Sequence, residues 1–226
     1  MIGVDRLAAS VVAAAARLAS GPSVRWPEAG QYRGPCVFFA NHTSHLDFVV
    51  LWSVLPEELR ARTRPVAAND YWDAGPVRRY LAKRVFRALL VDREGTSVGR
   101  LRAEIEHMVG ALDDGDSLIL FPEGTSTKGE AILPFNSSFL EFAASTDLPV
   151  HYASLRYETP EGGPTPSERI CWWDDTGFLK HMWLLFSLPS FTAVVTFGDE
   201  PILDTDRKSL AAKLRKGVES NFVPMR

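Results

Sequence analysis

Two short stretches place reactive residue types where strands end. In the first, Asn41, His42, Thr43, Ser44, His45, Leu46 and Asp47 follow an apolar run at residues 36–40 and lead into an apolar helical pattern at 44–55. Sites in α/β sheets lie beyond the carboxyl ends of strands. A histidine there, with an aspartate about a turn later, suits a base and its orienter. The carboxylate holds one ring nitrogen protonated and leaves the other to take a proton from a hydroxyl. His42 and Asp47 have that spacing, and His45 is a competing imidazole. Spacing alone does not separate this pair from a capping aspartate beside a solvated histidine.

The second stretch is more specific. Residues 117–121 read as a strand running into Pro122, Glu123, Gly124, Thr125, Ser126 and Thr127, so a carboxylate, a glycine permitting close backbone approach and three hydroxyls meet at a strand end. A turn with helix-capping Ser and Thr has the same composition. The argument for a site is the pairing, because two strand ends of a parallel sheet open on one edge. A third pattern, Gly95-Thr96-Ser97-Val98-Gly99, matches the Gly-x-Ser-x-Gly nucleophile elbow of serine hydrolases. Asp92, Arg93 and Glu94 separate it from the preceding strand, whereas an elbow serine sits on the strand-to-helix turn itself, and His42 precedes Ser97 in the chain. His107, His151 or His181 would restore the order, but each reads as structural, and Ser97 reads as a helix cap or loop serine.

Strand ends meet only if the elements between them cross over the sheet. Strand patterns at 36–40, 65–68, 86–91, 117–121, 150–155, 170–173 and 192–197 are interleaved with helical patterns at 44–55, 76–84, 99–112, 135–145, 178–186 and 209–221. This predicts an α/β fold: a single layered domain with a mostly parallel central sheet flanked by helices. The 226 residues fit one large domain. Val4, Leu7, Val11, Ala14 and Leu18 recur at helical spacing, with Arg6, Ser10, Ala13, Arg17 and Ser20 on another face, which predicts an N-terminal amphipathic helix over 1–20. Such a stripe serves either a core contact or an interfacial membrane anchor. It is Ala-rich, carries Asp5 beside Arg6, and falls short of the roughly 20 unbroken apolar residues that span a bilayer. Residues 21–35, rich in Pro and Gly, read as an irregular connector to the domain at 36–226.

Composition narrows the partners. Hydrophobic residues make up 46% of the chain, which excludes disorder, and the net charge of −3 offers nothing to wrap nucleic acid. Between residues 60 and 102, however, 11 Lys and Arg stand against 4 Asp and Glu. Arg78, Arg79, Lys83, Arg84 and Arg87 surround Val77, Leu81 and Val85, a basic amphipathic pattern suited to an anionic membrane surface or to phosphates. A solvated basic face has the same pattern. The two cysteines, Cys36 and Cys171, are too few and too far apart to imply zinc or an oxidising compartment, and a reduced cytosol fits them.

In its motifs the chain resembles the glycerolipid and lysophospholipid acyltransferases, the family of 1-acylglycerol-3-phosphate O-acyltransferase. Asn41-His42 through Asp47 is similar to that family's His-x4-Asp block, Val91-Asp92-Arg93 to its second block, Phe121-Pro122-Glu123-Gly124-Thr125 to its third and Leu148-Pro149-Val150 to its fourth, in order. The likeness runs from residue 36 to about 150 and is weaker beyond. It implies a glycerol-3-phosphate acyltransferase-like fold, with His42 as general base on the acceptor hydroxyl, Asp47 as its orienter, Glu123 and Gly124 in acceptor binding together with Thr125, and Arg93 reaching the acceptor head group. It also implies acyl-CoA or acyl-carrier protein as donor, a lyso-lipid as acceptor, direct transfer without a covalent enzyme intermediate, and no cofactor or metal. An enzyme of this kind is expected as a peripheral or monotopic protein on the cytoplasmic face of a membrane.

One departure bears on the acceptor. Members acting on a phosphate monoester usually carry Arg directly after the Glu-Gly-Thr, where this chain has Ser126. A hydroxyl supplies neither the charge nor the fork of a guanidinium, although Lys128 stands close enough to compensate. Together with Cys171, Trp172, Trp173 and Trp183, this looks more like the branch acylating lyso-ornithine lipid or other lyso-lipids. The expectation is therefore an O-acyltransferase; a serine hydrolase using Ser97 and a noncatalytic membrane-binding module are the alternatives.

Overall fold

The apolar runs at 37–40 and 117–120 are buried along their whole length, and the fold places them side by side in the middle of a seven-stranded sheet. Strands buried on both faces carry unbroken hydrophobic runs, as expected of a parallel sheet covered by helices on either side. The computed structural model describes residues 3–27, 32, 34–72, 75–91, 98–146, 148–173 and 177–225.

The strands are β1 (Ser23–Arg25), β2 (Val37–Ala40), β3 (Thr63–Ala68), β4 (Leu89–Val91), β5 (Ser117–Leu120), β6 (Val150–Glu158) and β7 (Thr192–Phe197), in the spatial order β1-β7-β6-β2-β5-β3-β4. Every pairing is parallel except β6 with β7. The helices are α1 (Gly3–Ser20), α2 (Leu46–Val54), α3 (Glu57–Arg60), α4 (Asn69–Trp72), α5 (Pro76–Tyr80), α6 (Val98–Asp113), α7 (Glu141–Ser145), α8 (Pro166–Arg169), α9 (Phe178–Phe186) and α10 (Arg207–Ser220). A π-helical turn at Leu81–Val85 continues α5, and a 3-10 turn at Ser137–Leu140 leads into α7. The side-chain alternation of β2 shows the layering. Phe38 and Ala40 join a core with Ala9, Ala13, Leu51 and Trp52 of α1 and α2, and Val37 and Phe39 join another with Met108, Leu210 and Leu214 of α6 and α10.

The expected α/β layering is therefore the observed one, with local differences. Residues 170–173 do not form a strand. β7 occupies the edge of β6, and the chain here lies over the 41–47 loop, where the Trp172 N–H donates to the Thr43 carbonyl at 2.7 Å. The connector is not wholly irregular: β1 lies within it and adds an edge strand to β7. Strand β4 begins only at Leu89, after Arg87 turns through a φ of 54°.

Helix α1 buries its small residues. Ala9, Ala13, Ala16, Asp5 and Ser20 face inward, so Ala13 and Ser20, which periodicity places on the polar side, are core positions. The large apolar residues point out: Val4 is 70% exposed, Leu7 66%, Val11 59% and Leu18 87%. Alanines let α1 approach α2 closely, and Asp5 anchors its start through Arg84 at 3.0 Å and the Tyr80 hydroxyl at 3.3 Å. Part of the basic excess is thus answered inside the fold. Arg64 and Arg87 both pair with the buried Asp116, at 3.1 and 2.8 Å, and the Arg60 guanidinium lies 5.7 Å from the centre of the Trp52 ring.

Candidate active site

The register of the central strands dictates the site. β2 and β5 pair with Phe39 opposite Leu120, and three residues further along each strand come His42 and Glu123. The side chain of one meets the backbone of the other: the His42 N–H donates to Glu123 Oε1 at 2.7 Å. Glu123 Oε2 accepts from the Leu133 N–H at 2.8 Å, so this buried carboxylate ties the two strand-end loops together. Burial pushes its pKa up to about 7 against the pull of those two N–H groups. The His42 carbonyl is held from the other side by the Thr127 N–H at 3.0 Å and its hydroxyl at 3.3 Å. Asn41 closes the end of β2 by exchanging two 2.8 Å hydrogen bonds with the Leu155 backbone of β6.

The His42 ring lies against Phe121, centroids 4.5 Å apart and nearly parallel, and its Nδ1 is 2.9 Å from Asp47 Oδ2. Asp47 is fully buried at the start of α2, where its carboxylate also accepts from the Thr43 N–H at 2.6 Å and the Ser44 N–H at 2.8 Å. A carboxylate accepts only, so the neutral imidazole carries its proton on Nδ1 and leaves Nε2 as the basic nitrogen. The His42 side chain is 20% exposed and lines a cavity of about 620 Å³ together with His45, Phe121, Gly124, Thr125 and Ser126. His45, the competing imidazole, instead packs its ring 3.6 Å from the Trp172 centroid. A comparable cavity of about 690 Å³ beneath α1, walled by Trp52, Arg60 and Arg87, contains neither His42 nor Asp47.

The remaining expected residues spread around this cavity. Gly124 turns with a φ of +73°, a left-handed conformation that favours glycine, and its N–H donates to the Phe121 carbonyl at 3.1 Å. Thr125 is exposed on the cavity wall. The Ser126 hydroxyl donates to the Trp172 main-chain carbonyl, and Trp172 also lines the cavity. Lys128 sits outside, its Nζ 3.9 Å from the Trp173 ring centre, in a neighbouring cavity of about 350 Å³ that shares Trp172 and Trp173. Arg93 and Ser97 lie outside the described residues. Arg78, read from the sequence only as part of a basic face, lines the main cavity. His151 packs on Tyr32 and Phe38, His181 Nε2 donates to the Ile170 carbonyl at 3.0 Å, and His107 is exposed on α6. Among the described residues no cluster of His, Cys, Asp and Glu is arranged to hold a metal.

A mostly parallel sheet covered on both faces thus carries a His–Asp pair at one strand end, braced by a Glu-Gly-Thr turn at the next. A family model described as Acyltransferase matches residues 21–155, and the chain belongs to that family. The chain is 26% identical over 199 residues to the lyso-ornithine lipid O-acyltransferase of Brucella abortus, covering 82% of this chain and 70% of that one. The corresponding Rhodobacter capsulatus enzyme is 31% identical over 118 residues, 49% of this chain and 42% of its own length. Human 1-acyl-sn-glycerol-3-phosphate acyltransferase beta is 28% identical over 134 residues, 56% of this chain and 43% of its own. The fold is that of the crystal structure of the Thermotoga maritima 1-acyl-sn-glycerophosphate acyltransferase, with a TM-score of 0.61 at 18% identity over 96% of this chain and 79% of that one. The hydrolase and noncatalytic alternatives find no support in these likenesses.

Proposed function

We propose that the protein moves a fatty acyl group from the thioester of acyl-CoA or acyl-carrier protein to the hydroxyl of a lyso-lipid at a membrane surface. The observation that carries this reading is the His42 Nδ1 to Asp47 contact of 2.9 Å on the wall of a cavity of about 620 Å³. His42 Nε2 takes the proton of the acceptor hydroxyl as its oxygen bonds to the thioester carbon. The tetrahedral intermediate collapses, the carbon–sulfur bond breaks, and the proton held on His42 passes to the departing thiolate. A thioester is already activated, so placing the alcohol and removing its proton are the main demands on the protein.

Glu123 serves this reaction from behind, by holding the His42 backbone, while Gly124, Thr125, Ser126 and Arg78 face the acceptor. Ser126 in place of a guanidinium, and the likeness to two lyso-ornithine lipid enzymes, support an acceptor without a terminal phosphate monoester. Lys128 beside Trp173 and Arg93 are the further cations proposed for the head group. No described helix is long and apolar enough to cross a membrane, and the outward Val4, Leu7, Val11 and Leu18 of α1 support a peripheral attachment. The cytoplasmic face is the side we assign, consistent with the free, buried Cys36 and Cys171. The test offers purified protein acyl-CoA or acylated carrier protein with lyso-ornithine lipid, 1-acylglycerol 3-phosphate and lysophosphatidylcholine, and detects products by mass spectrometry. Acylated lyso-lipid is expected from at least one pair; thioester hydrolysis with no acylated lipid overturns the reading.

A further inference from the structure

Asp47 is held by more than the pair requires. Its Oδ2 takes the His42 ring and both backbone N–H groups, while Oδ1 takes the Tyr157 hydroxyl at 2.7 Å and, at a longer 3.4 Å, the Thr43 hydroxyl. Tyr157 lies 110 residues away in sequence, on β6, and is 1% exposed. Its backbone N–H donates to Met225 Sδ at 3.1 Å, and its ring meets Phe191 edge-on, centroids 6.0 Å apart, so the phenol has a fixed direction. A buried tyrosine hydroxyl needs a partner, and one aimed at a carboxylate makes the short, charge-assisted kind of bond.

We infer that Tyr157 is a positioning residue for the acyl transfer: its hydroxyl locks the Asp47 carboxylate with Oδ2 toward His42 and draws off part of its charge. The inference rests on the reading of His42 as base. The backbone donors hold Oδ2 and Tyr157 is the shortest contact on Oδ1, so the carboxylate is fixed at both oxygens and rotation about its axis would break the Tyr157 bond as well. A donor on Oδ1 also takes up part of the Asp47 charge, so less of it is left to stabilise an imidazolium formed on His42 during transfer. The titratable and charged neighbours are Glu123 beside His42, His45, Asp70 and Arg78 on the same cavity wall, and Cys171 beside Asp47 and Tyr157. Burial and the Asp47 charge push the Cys171 thiol up to about 12 and hold the Tyr157 phenol well above its ordinary value, so both stay protonated near neutrality. Glu123 titrates within the same window as a histidine but is common to every protein compared below.

Tyr157→Phe keeps the ring and removes the donor. The expected result is a kcat lowered about tenfold at an unchanged acceptor KM, with the acid limb of kcat/KM moved up by about half a pH unit. In an Asp47→Asn background the same change should cost nothing further, because the group through which Tyr157 acts has lost its charge. An unmoved acid limb, or an equal loss in both backgrounds, overturns the inference and leaves Tyr157 as packing. If Tyr157→Phe does not fold, 3-fluorotyrosine placed at 157 keeps both ring and hydroxyl and donates more strongly. The acid limb should then move down, and no movement overturns the inference. Failure of the underlying reading looks different: His42→Ala would then retain turnover, whereas an inactive His42→Ala with additive Tyr157 and Asp47 effects removes only the role of Tyr157.

Discussion

His42 and Ser126 carry the two sharpest expectations. Removing a general base costs typically about 10² to 10⁴ in rate, so His42→Ala is expected to lose transfer by that factor while its circular dichroism stays that of wild type. His45→Ala, with the ring on Trp172 rather than on Asp47, should be far milder, and the reverse ranking would reassign the base. Ser126 lines the cavity with its hydroxyl committed to the Trp172 carbonyl, which leaves it little to offer an anion. A charge-assisted hydrogen bond contributes about 1.5 to 3 kcal/mol, roughly tenfold to a hundredfold in relative transition-state binding. Wild type is therefore expected to prefer a lyso-lipid lacking a phosphate monoester over 1-acylglycerol 3-phosphate, and Ser126→Arg to shift the ratio of specificity constants toward the phosphate. Competition between the two acceptors at one donor concentration measures that ratio; a wild-type preference for 1-acylglycerol 3-phosphate would show that other cations suffice.

Helix α1 sorts its two faces by side-chain size. Its alanines make the contact with α2, and its larger residues face outward, so the two sets should respond to different assays. Replacing Leu7, Val11 and Leu18 by Ser removes three apolar anchors, each contributing up to about 1.5 to 3 kcal/mol when fully buried in a membrane interface. Cosedimentation with anionic vesicles should fall sharply while the unfolding midpoint stays near that of wild type. Ala13→Leu should do the opposite: Ala13 is wholly buried, and overpacking there is expected to cost about 1 to 3 kcal/mol of stability, read by urea unfolding. Unchanged vesicle binding in the triple variant would leave α1 with its packing role alone. Periodicity found this helix but left open whether its large apolar stripe packs inward; it is the alanine face that does, since close helix packing selects the smaller residue.

Stability of the whole molecule is expected to depend on pH through two groups of opposite sign, the buried Glu123 and the partly buried His151. Burial pushes Glu123 up from its ordinary 4.5 to about 7, so the native state keeps a proton that the unfolded chain has released, and stability is lost as pH rises from 4.5 through 7. Burial pushes His151 down from 6.5 to about 4, so the unfolded chain binds a proton that the native state refuses, and stability is lost as pH falls from 6.5 through 4. In wild type the two oppose each other between pH 4.5 and 6.5. Glu123→Gln should expose the histidine, with a urea midpoint that falls on acidification below 6.5, and His151→Phe should expose the carboxyl, with a midpoint that rises on acidification below 7. Parallel midpoint profiles for the two variants would contradict both assignments.

The residues and spacings alone determined the layered α/β class and the strand ends that carry the site, and offered the pairing of His42 with Asp47 as one of two readings of that spacing. These are short-range properties: an apolar run marks a buried strand, and five residues of loop and helix start are enough to bring an imidazole to a carboxylate. Tertiary structure decided everything that depends on which strands are neighbours. Parallel pairing of β2 with β5 makes Glu123 a brace for the His42 backbone, and pairing of β2 with β6 brings Asn41 to Leu155 and sets Tyr157 within reach of Asp47. Residues 170–173, apolar enough to read as a strand, became the cover of the 41–47 loop once β7 had taken the edge of β6. Arg64, Arg84 and Arg87 likewise found Asp116 and Asp5 inside the molecule rather than an outside anion. Each such partner is distant in sequence, and no local periodicity carries a signal for it, because register and edge order are set by packing of the whole sheet.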